Sequence, residues 1–200
     1  MAAPLEFYFD FASPYGYFAS TRIDTIAAKA GREVAWRPIL LGAVFKVVGT
    51  APLVNYPLKG EYMRHDLERQ ARLFKLPFRE PPGFPHNTIA PARLFYWIHD
   101  RDPAKATAFA KGVYAGFFER GSDVSSPEAA VAIAAGLGFG RDAAAAALQD
   151  QAVKDRLRHE VDAAIAKGVF GSPFLIVDGE PFWGSDRLDQ VEAWLATGGW

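Results

Sequence analysis

The sequence predicts an α/β protein in which a βαβ unit and a ββα unit are separated by a block of consecutive helices. Short apolar runs rich in aromatic and β-branched residues occur near both ends of the chain, whereas the long stretch between them carries helical periodicity with repeated start and stop signals. The chain has 200 residues, half of them hydrophobic, which is enough for a sizeable core without disulfide or metal support.

The first unit begins with an aromatic-rich strand at Leu5–Phe11. A helical pattern follows over Pro14–Ala30 and ends at Gly31, and Val34–Leu40 has the composition of a second strand. Such a crossover is right-handed and makes the two strands parallel, so ligands are expected at their carboxyl ends. Ser13 lies at that edge.

The middle of the chain carries helical signals without an intervening strand. Proline follows a capping residue at Asp102-Pro103 and at Ser126-Pro127, the usual composition of a helix N-terminus. The predicted helices include Gly60–Lys75, one from Asn87 or Thr88 to His99, and Asp150–Lys167.

The last unit returns to strand patterns. Phe174–Val177 is a short apolar run, Asp178-Gly179 is a hairpin signal, and Pro181–Trp183 completes a second strand. A final helix is predicted from Ser185-Asp186 to about Gly198.

Composition excludes several classes of function. The 22 basic and 23 acidic residues give a net charge of −1 and form no basic block, which argues against a nucleic-acid partner. We find no apolar run of membrane-spanning length and no signal peptide, so we expect no membrane partner and a cytoplasmic location. Without cysteine, and with four histidines lacking ligand spacing, the sequence predicts no metal site.

The junction at Ser13 is the most informative local feature. A strand that turns directly into a helix presents free N–H groups and the positive end of the helix dipole beside the serine hydroxyl. Ser13-Pro14 is also an ordinary helix cap, and both roles use the same residues. A thiolate is one anion that this position suits, and because the chain has no thiol, the sulfur would have to come from a bound small molecule.

Four ordered motifs together resemble the 2-hydroxychromene-2-carboxylate isomerases, relatives of the kappa-class glutathione transferases. They are Phe9–Tyr15, Asn55–Lys59, Gly168–Pro173 and Phe182–Leu188, and the resemblance runs from Leu5 to Trp194. It implies a thioredoxin-like fold of the DsbA type with a large all-helical insertion. The implied division is a thioredoxin-like domain of residues 1–54 and 168–200, and an inserted helical domain of residues 55–167.

The resemblance also implies an activity. In that family the thiolate of bound glutathione adds to 2-hydroxychromene-2-carboxylate, the ring opens, the former double bond rotates, and the thiolate leaves as trans-o-hydroxybenzylidenepyruvate forms. Glutathione is thus the implied cofactor, with a small aromatic carboxylate as substrate and a homodimer as the assembly. Ser13 would stabilise the thiolate through its hydroxyl and the helix end.

The resemblance places the rest of glutathione on the other motifs. It implies a cis peptide at Ser172-Pro173 whose main chain pairs with the cysteinyl part, although the family usually has an apolar residue where this chain has Ser172. The γ-glutamyl group would be held by Ser185 and Asp186, which also suit a plain helix start. The remaining predicted contacts are Asn55 and Lys59 for glutathione or a carboxylate, and Tyr15, Phe84, His86, Asn87 and Trp183 for the aromatic substrate.

Two other functions stay open at this stage. A kappa-like glutathione transferase or peroxidase would use the same thiolate but consume it, and a non-catalytic degenerate thioredoxin-fold domain would bind no glutathione. Thiol–disulfide exchange by a cysteine pair, the usual activity of the fold, is excluded because the chain has no cysteine.

Overall fold

A computed structural model describes residues 3–200 and contains one four-stranded mixed sheet in the order β2-β1-β3-β4. β1 is parallel to β2 and antiparallel to β3, and β3 is antiparallel to β4. The strands are β1 (Leu5–Phe9), β2 (Val34–Pro38), β3 (Phe174–Val177) and β4 (Glu180–Trp183).

Ten helices accompany this sheet within the described residues. The first two follow β1, the third follows β2, six lie between it and β3, and the last follows β4. They are α1 (Pro14–Ser20), α2 (Ile23–Lys29), α3 (Leu41–Val48), α4 (Lys59–Phe74), α5 (Ile89–His99), α6 (Pro103–Tyr114), α7 (Pro127–Gly136), α8 (Arg141–Gln149), α9 (Gln151–Ala166) and α10 (Leu188–Thr197). The predicted order of a βαβ unit, a helical block and a ββα unit is confirmed.

Strand β1 ends at Phe9 rather than at Phe11, and α10 begins at Leu188, after a 3-10 turn, rather than at Ser185. Two further elements differ more from the sequence prediction. The single helix predicted over Pro14–Ala30 is two helices, because the hydroxyls of Ser20 and Thr21 donate to the carbonyls of Tyr17 and Phe18 where the first helix ends. Helix α3 has no counterpart in the sequence prediction. Its sequence contains three valines directly after a strand, which is a composition typical of extended chain.

The hydrophobic core is continuous between the sheet and the helical block. Phe9 of β1 packs against Phe95 of α5 and Tyr114 of α6, with ring centroids 6.0 and 5.7 Å apart. The helical block therefore closes one side of the sheet edge at which β1 ends. The division into 1–54 plus 168–200 and 55–167 stays a prediction.

The predicted helix caps are confirmed at three serine or aspartate positions followed by proline. Ser13, Asp102 and Ser126 each accept a hydrogen bond from the N–H three residues later, at 3.0 to 3.1 Å. Within residues 3–200, no helix combines the length and apolar character required to cross a membrane.

Candidate functional site

A cavity of about 1050 Å³ lies where β1 ends and α1 begins. Its walls come from the sheet end, from α3 and the loop after it, from α4, and from the segments flanking β3 and β4. Parallel and mixed sheets bind ligands at such an edge, outside the carboxyl end of a strand that leads into a helix.

Ser13 lines this cavity and is 4% exposed. Its hydroxyl oxygen accepts the N–H of Gly16 at 3.0 Å, and its proton is donated to the carbonyl of Ser172 at 2.8 Å. The hydroxyl therefore joins the start of α1 to the loop before β3. This arrangement places a polar O–H and a helix N-terminus next to a cavity large enough for a peptide-sized ligand.

The loop opposite Ser13 carries the predicted cis peptide, Ser172-Pro173. The Ser172 hydroxyl accepts the main-chain N–H of Asp10 at 2.9 Å, so this side chain ties β1 to the loop. An apolar residue at this position would leave that N–H without its partner. Serine at 172 thus has a structural role that the sequence motif did not indicate.

Gly16 allows α1 to approach this loop closely. A Cβ added at Gly16 would lie 2.5 Å from the Tyr114 hydroxyl and 3.1 Å from the Ser172 hydroxyl. Any larger side chain at this position would collide with these hydroxyls, so glycine is required here for lack of space. The helical backbone conformation by itself would accept any residue.

Asp10 is a buried carboxylate directly after β1, and sequence analysis did not single it out. Its side chain accepts the N–H of Ala12 at 2.8 Å, the N–H of Leu41 at 2.6 Å and the hydroxyl of Thr88 at 2.7 Å. Burial raises the pKa of Asp10, while these three hydrogen bonds act in the opposite direction. Asp10 thereby joins the strand end to the first residue of α3 and to the residue before α5.

The predicted γ-glutamyl residues also line the cavity. Ser185 is 3% exposed, and the Asp186 carboxylate lies 3.7 Å from the guanidinium of Arg187. The two residues begin a short 3-10 turn, Ser185–Arg187, that leads into α10.

Four of the five predicted aromatic-substrate residues line the cavity: Tyr15, Phe84, His86 and Trp183. The Tyr15 hydroxyl donates to Asp66 at 2.9 Å. Burial raises the pKa of Tyr15, and the hydrogen bond to this carboxylate raises it further. Trp183 is 57% exposed, and its ring packs against that of Phe170, with ring centroids 4.9 Å apart. A partly exposed aromatic pair in the cavity lining suits a flat apolar ligand.

Three predicted residues are absent from the lining that the structure gives this cavity, namely Asn55, Lys59 and Asn87. Asn55 and Lys59 are exposed, and the Lys59 ammonium lies 5.5 Å from the centre of the Tyr56 ring. Asn87 lines a separate cavity of about 390 Å³.

Several polar residues that the sequence analysis did not single out also line the cavity. Lys46 of α3 and Thr50 of the following loop line the cavity. So do Asp66 and Gln70 of α4, although the charged run in this helix resembles a solvated face; the Asp66 side chain is only 14% exposed. Within residues 3–200 the structure contains no group of three or more histidine, aspartate or glutamate side chains arranged to hold a metal ion.

Comparisons with known proteins agree with this architecture. The model of the DSBA-like thioredoxin domain matches residues 4–196. The chain is 30% identical to a 2-hydroxychromene-2-carboxylate isomerase of Sphingobium xenophagum, over 98% of this chain and 99% of that one. It is 28% identical to glutathione S-transferase kappa 2 of Caenorhabditis elegans, over 96% of this chain and 91% of that one.

A solved structure of 2-hydroxychromene-2-carboxylate isomerase superposes with a TM-score of 0.86 at 29% identity, covering 96% of this chain and 94% of the other. The fold and the near-complete coverage therefore agree. This chain belongs to the DsbA-like thioredoxin-domain family and, within it, to the 2-hydroxychromene-2-carboxylate isomerases, an enzyme group related to the kappa glutathione S-transferases.

Proposed function

We propose that this protein binds glutathione in the cavity at Ser13 and uses its thiolate to isomerise 2-hydroxychromene-2-carboxylate or a close aromatic analogue. The observation that carries the proposal is the buried Ser13 hydroxyl at a helix N-terminus, facing the Ser172-Pro173 loop in a chain without cysteine. Relatives that carry the names of this isomerase and of kappa glutathione S-transferases support it.

Ser13 would act by exchanging one hydrogen-bond acceptor for another. Its proton is directed to the Ser172 carbonyl. When glutathione binds, the cysteinyl N–H replaces the hydroxyl at this carbonyl, and the Ser13 proton turns to the sulfur. Both groups stay satisfied, and the charged sulfur gains a hydrogen bond beside the helix N-terminus, which lowers the pKa of its thiol.

The catalytic cycle consumes no thiol. Ring opening converts the hemiketal into a ketone and a phenol, with the hemiketal proton passing to the phenol oxygen. Addition of the thiolate turns the conjugated double bond into a single bond that can rotate, and its electron pair moves to the ketone oxygen as an enolate. The enolate then expels the thiolate, which restores the double bond in the trans form. The apolar wall that includes Phe84 and Trp183 would hold the aromatic ring during this rotation.

The test is to mix the protein with 2-hydroxychromene-2-carboxylate, with and without glutathione, and to record the ultraviolet spectrum and the total thiol. We expect spectral conversion only when glutathione is present, with total thiol unchanged. No glutathione-dependent conversion would refute the proposal.

The kappa-like transferase is the second candidate, because two kappa relatives from Caenorhabditis elegans and one from Rattus norvegicus match over nearly the whole chain. It uses the same thiol site but forms a stable thioether with an electrophile. Loss of thiol in step with product formation would favour the transferase over the isomerase.

Lys46 is expected to recognise the carboxylate of the aromatic substrate. It lines the cavity, and within the described residues it takes part in no ion pair with a protein carboxylate. Lys46→Gln should raise the KM for a carboxylate substrate about fivefold, the effect of one partly solvated charge pair. Lys59→Gln is the matched control, since that lysine lies outside the cavity lining; a larger effect at Lys59 would reverse the assignment.

A further inference from the structure

The second, smaller cavity of about 390 Å³ lies within the helical block. It is formed by the first half of α5, the start of α7 and the end of α8, and its lining shares no residue with that of the cavity at Ser13. Asn87, which the sequence analysis assigned to the aromatic substrate, lies here instead. The proposed function leaves this smaller cavity without a role.

Arg93 of α5 is the charged residue among the described residues that line the smaller cavity. It is partly buried, and the ion pairs between described residues use other arginines. Its one hydrogen bond to them runs from Nη1 to the carbonyl of Leu148 at 3.4 Å, and its Nε is buried without a partner. Since buried arginines are normally paired, Arg93 has a charge and N–H groups that the described part of the chain leaves unused.

The outer end of the Arg93 guanidinium is the part that a ligand can reach. Nη2 makes no hydrogen bond to the described residues and, unlike Nε, is not enclosed. Burial of Nε and the contact of Nη1 with the Leu148 carbonyl hold the group in place. The two parallel N–H groups on Nη1 and Nη2 match the two oxygens of a carboxylate.

The polar neighbours of Arg93 favour a ligand with a single negative charge. The Asn87 side-chain oxygen accepts the N–H of Ile89 at 3.0 Å, which leaves the Asn87 NH₂ as a donor, and the Gln149 amide can supply another. Ser125 has no proton to offer, because its hydroxyl donates to Asp123 at 2.5 Å. The Asp123 carboxylate thus lies next to the lining, where it disfavours a dianion such as phosphate.

The remainder of the lining is apolar. Ile89, Ala90, Pro127 and Leu148 provide hydrocarbon surface around the one cationic group. The volume is at the lower end of the range of small-molecule sites, about 300 to 1,000 Å³. One fixed guanidinium within an apolar lining of this size suits a compact organic acid better than an inorganic anion.

We propose that the smaller cavity is a binding site for a small organic monocarboxylate with an apolar body. The carboxylate pairs with the Nη1 and Nη2 groups of Arg93 and accepts a further hydrogen bond from the Asn87 amide. The apolar body packs on the lining contributed by α5 and α8. This site depends on neither glutathione nor Ser13.

The experiment is a titration of isotopically labelled protein, without glutathione, followed by the chemical shifts of its main-chain amides. The probes are benzoate, benzamide, which keeps the ring without the charge, and inorganic phosphate, which has charge without a ring. We expect benzoate to produce saturable shifts at the amides of Ala90 and Gln149. Benzamide and phosphate should each bind there at least about tenfold more weakly, as for loss of a charge-assisted hydrogen bond or of a buried ring.

Two variants test the role of Arg93. Arg93→Gln removes the charge and should weaken benzoate at least about tenfold, and Arg93→Lys, which keeps the charge without the paired N–H groups, should weaken it about threefold to tenfold. Thermal denaturation verifies that each variant is folded. If Arg93→Gln does not fold, Arg93→Lys and the three probes on the wild type decide the question.

The matched control is Arg141→Gln, since Arg141 is an exposed arginine at the start of α8 and lies outside the lining. A second control is Lys46→Gln, which alters the cavity at Ser13. Both should leave the benzoate shifts at Ala90 and Gln149 as in wild type. The inference would be overturned by benzoate shifts confined to the cavity at Ser13, by equal binding of benzamide or phosphate, or by unchanged binding in the Arg93 variants. Because glutathione is absent, these outcomes are independent of the proposed function.

Discussion

Ser13→Ala is expected to raise the pKa of the bound glutathione thiol by about one unit and to lower turnover by about tenfold to a hundredfold. The variant removes a charge-assisted hydrogen bond to sulfur that contributes about 1.5 to 3 kcal/mol, and one pKa unit corresponds to about 1.4 kcal/mol. Steady-state kinetics and thiolate absorbance as a function of pH measure the two effects. The helix N-terminus remains in the variant, so residual activity is expected.

Ser126→Ala provides the matched control for the loss of a helix cap. Ser126 caps α7 with the same serine-proline pair, and its hydroxyl accepts the N–H of Ala129 at 3.1 Å. Both variants should lose about 0.5 to 2 kcal/mol of unfolding free energy, but only Ser13→Ala should lose turnover. Equal turnover in the two variants would show that Ser13 acts only as a helix cap.

Asp10→Ala is expected to destabilise the protein by about 3 to 5 kcal/mol. The substitution leaves two main-chain N–H groups and the Thr88 hydroxyl without the acceptor that they have in the buried wild-type site. Asp155→Ala, at an exposed ion pair with Arg158 within α9, should cost less than about 1 kcal/mol. Chemical denaturation of both variants measures this difference in the free energy of unfolding. A small effect at Asp10 would contradict the claim that its hydrogen bonds hold the end of β1 to α3 and to Thr88.

Because folding raises the pKa of Asp10, we can predict the direction in which the free energy of unfolding changes with pH. The unfolded chain releases the Asp10 proton at lower pH than the folded protein does, so this group costs stability as pH rises from its ordinary value of 3.8 towards its folded pKa. Asp10→Asn cannot titrate. The unfolding free energy of wild type minus that of Asp10→Asn should therefore fall with rising pH above about 4, and a rise would mean that folding lowers the pKa of Asp10.

Local sequence signals predicted the elements that depend on local chemistry. Ser13-Pro14 and Ser126-Pro127 mark helix starts because a side-chain cap and a proline act within one turn. The strand at Phe174–Val177 and its turn are likewise encoded within a few residues. Helix α3 was missed because its stability depends on contacts that are remote in sequence, including the hydrogen bond from Leu41 to Asp10.

The candidate site was predicted where a single motif supplied its residues and missed where the tertiary fold assembles it. Ser13, Ser172 and Ser185, which line the cavity, could be singled out because each lies in a short, specific segment. Gln70 and Lys46 were not, because a helix sequence does not indicate which polar residue will face a cavity made by a distant segment. In α4, the Gln70 and Asp66 spacing of four residues was the available signal.

The most direct test of the central claim is a pH titration of the thiolate absorbance of glutathione bound to the wild-type protein. We predict that the bound thiol ionises well below the value of about 8.5 typical of a free thiol, so that thiolate predominates at neutral pH. A bound thiol that titrates at or above the free value would contradict the claim that Ser13 and the start of α1 activate a sulfur supplied by glutathione.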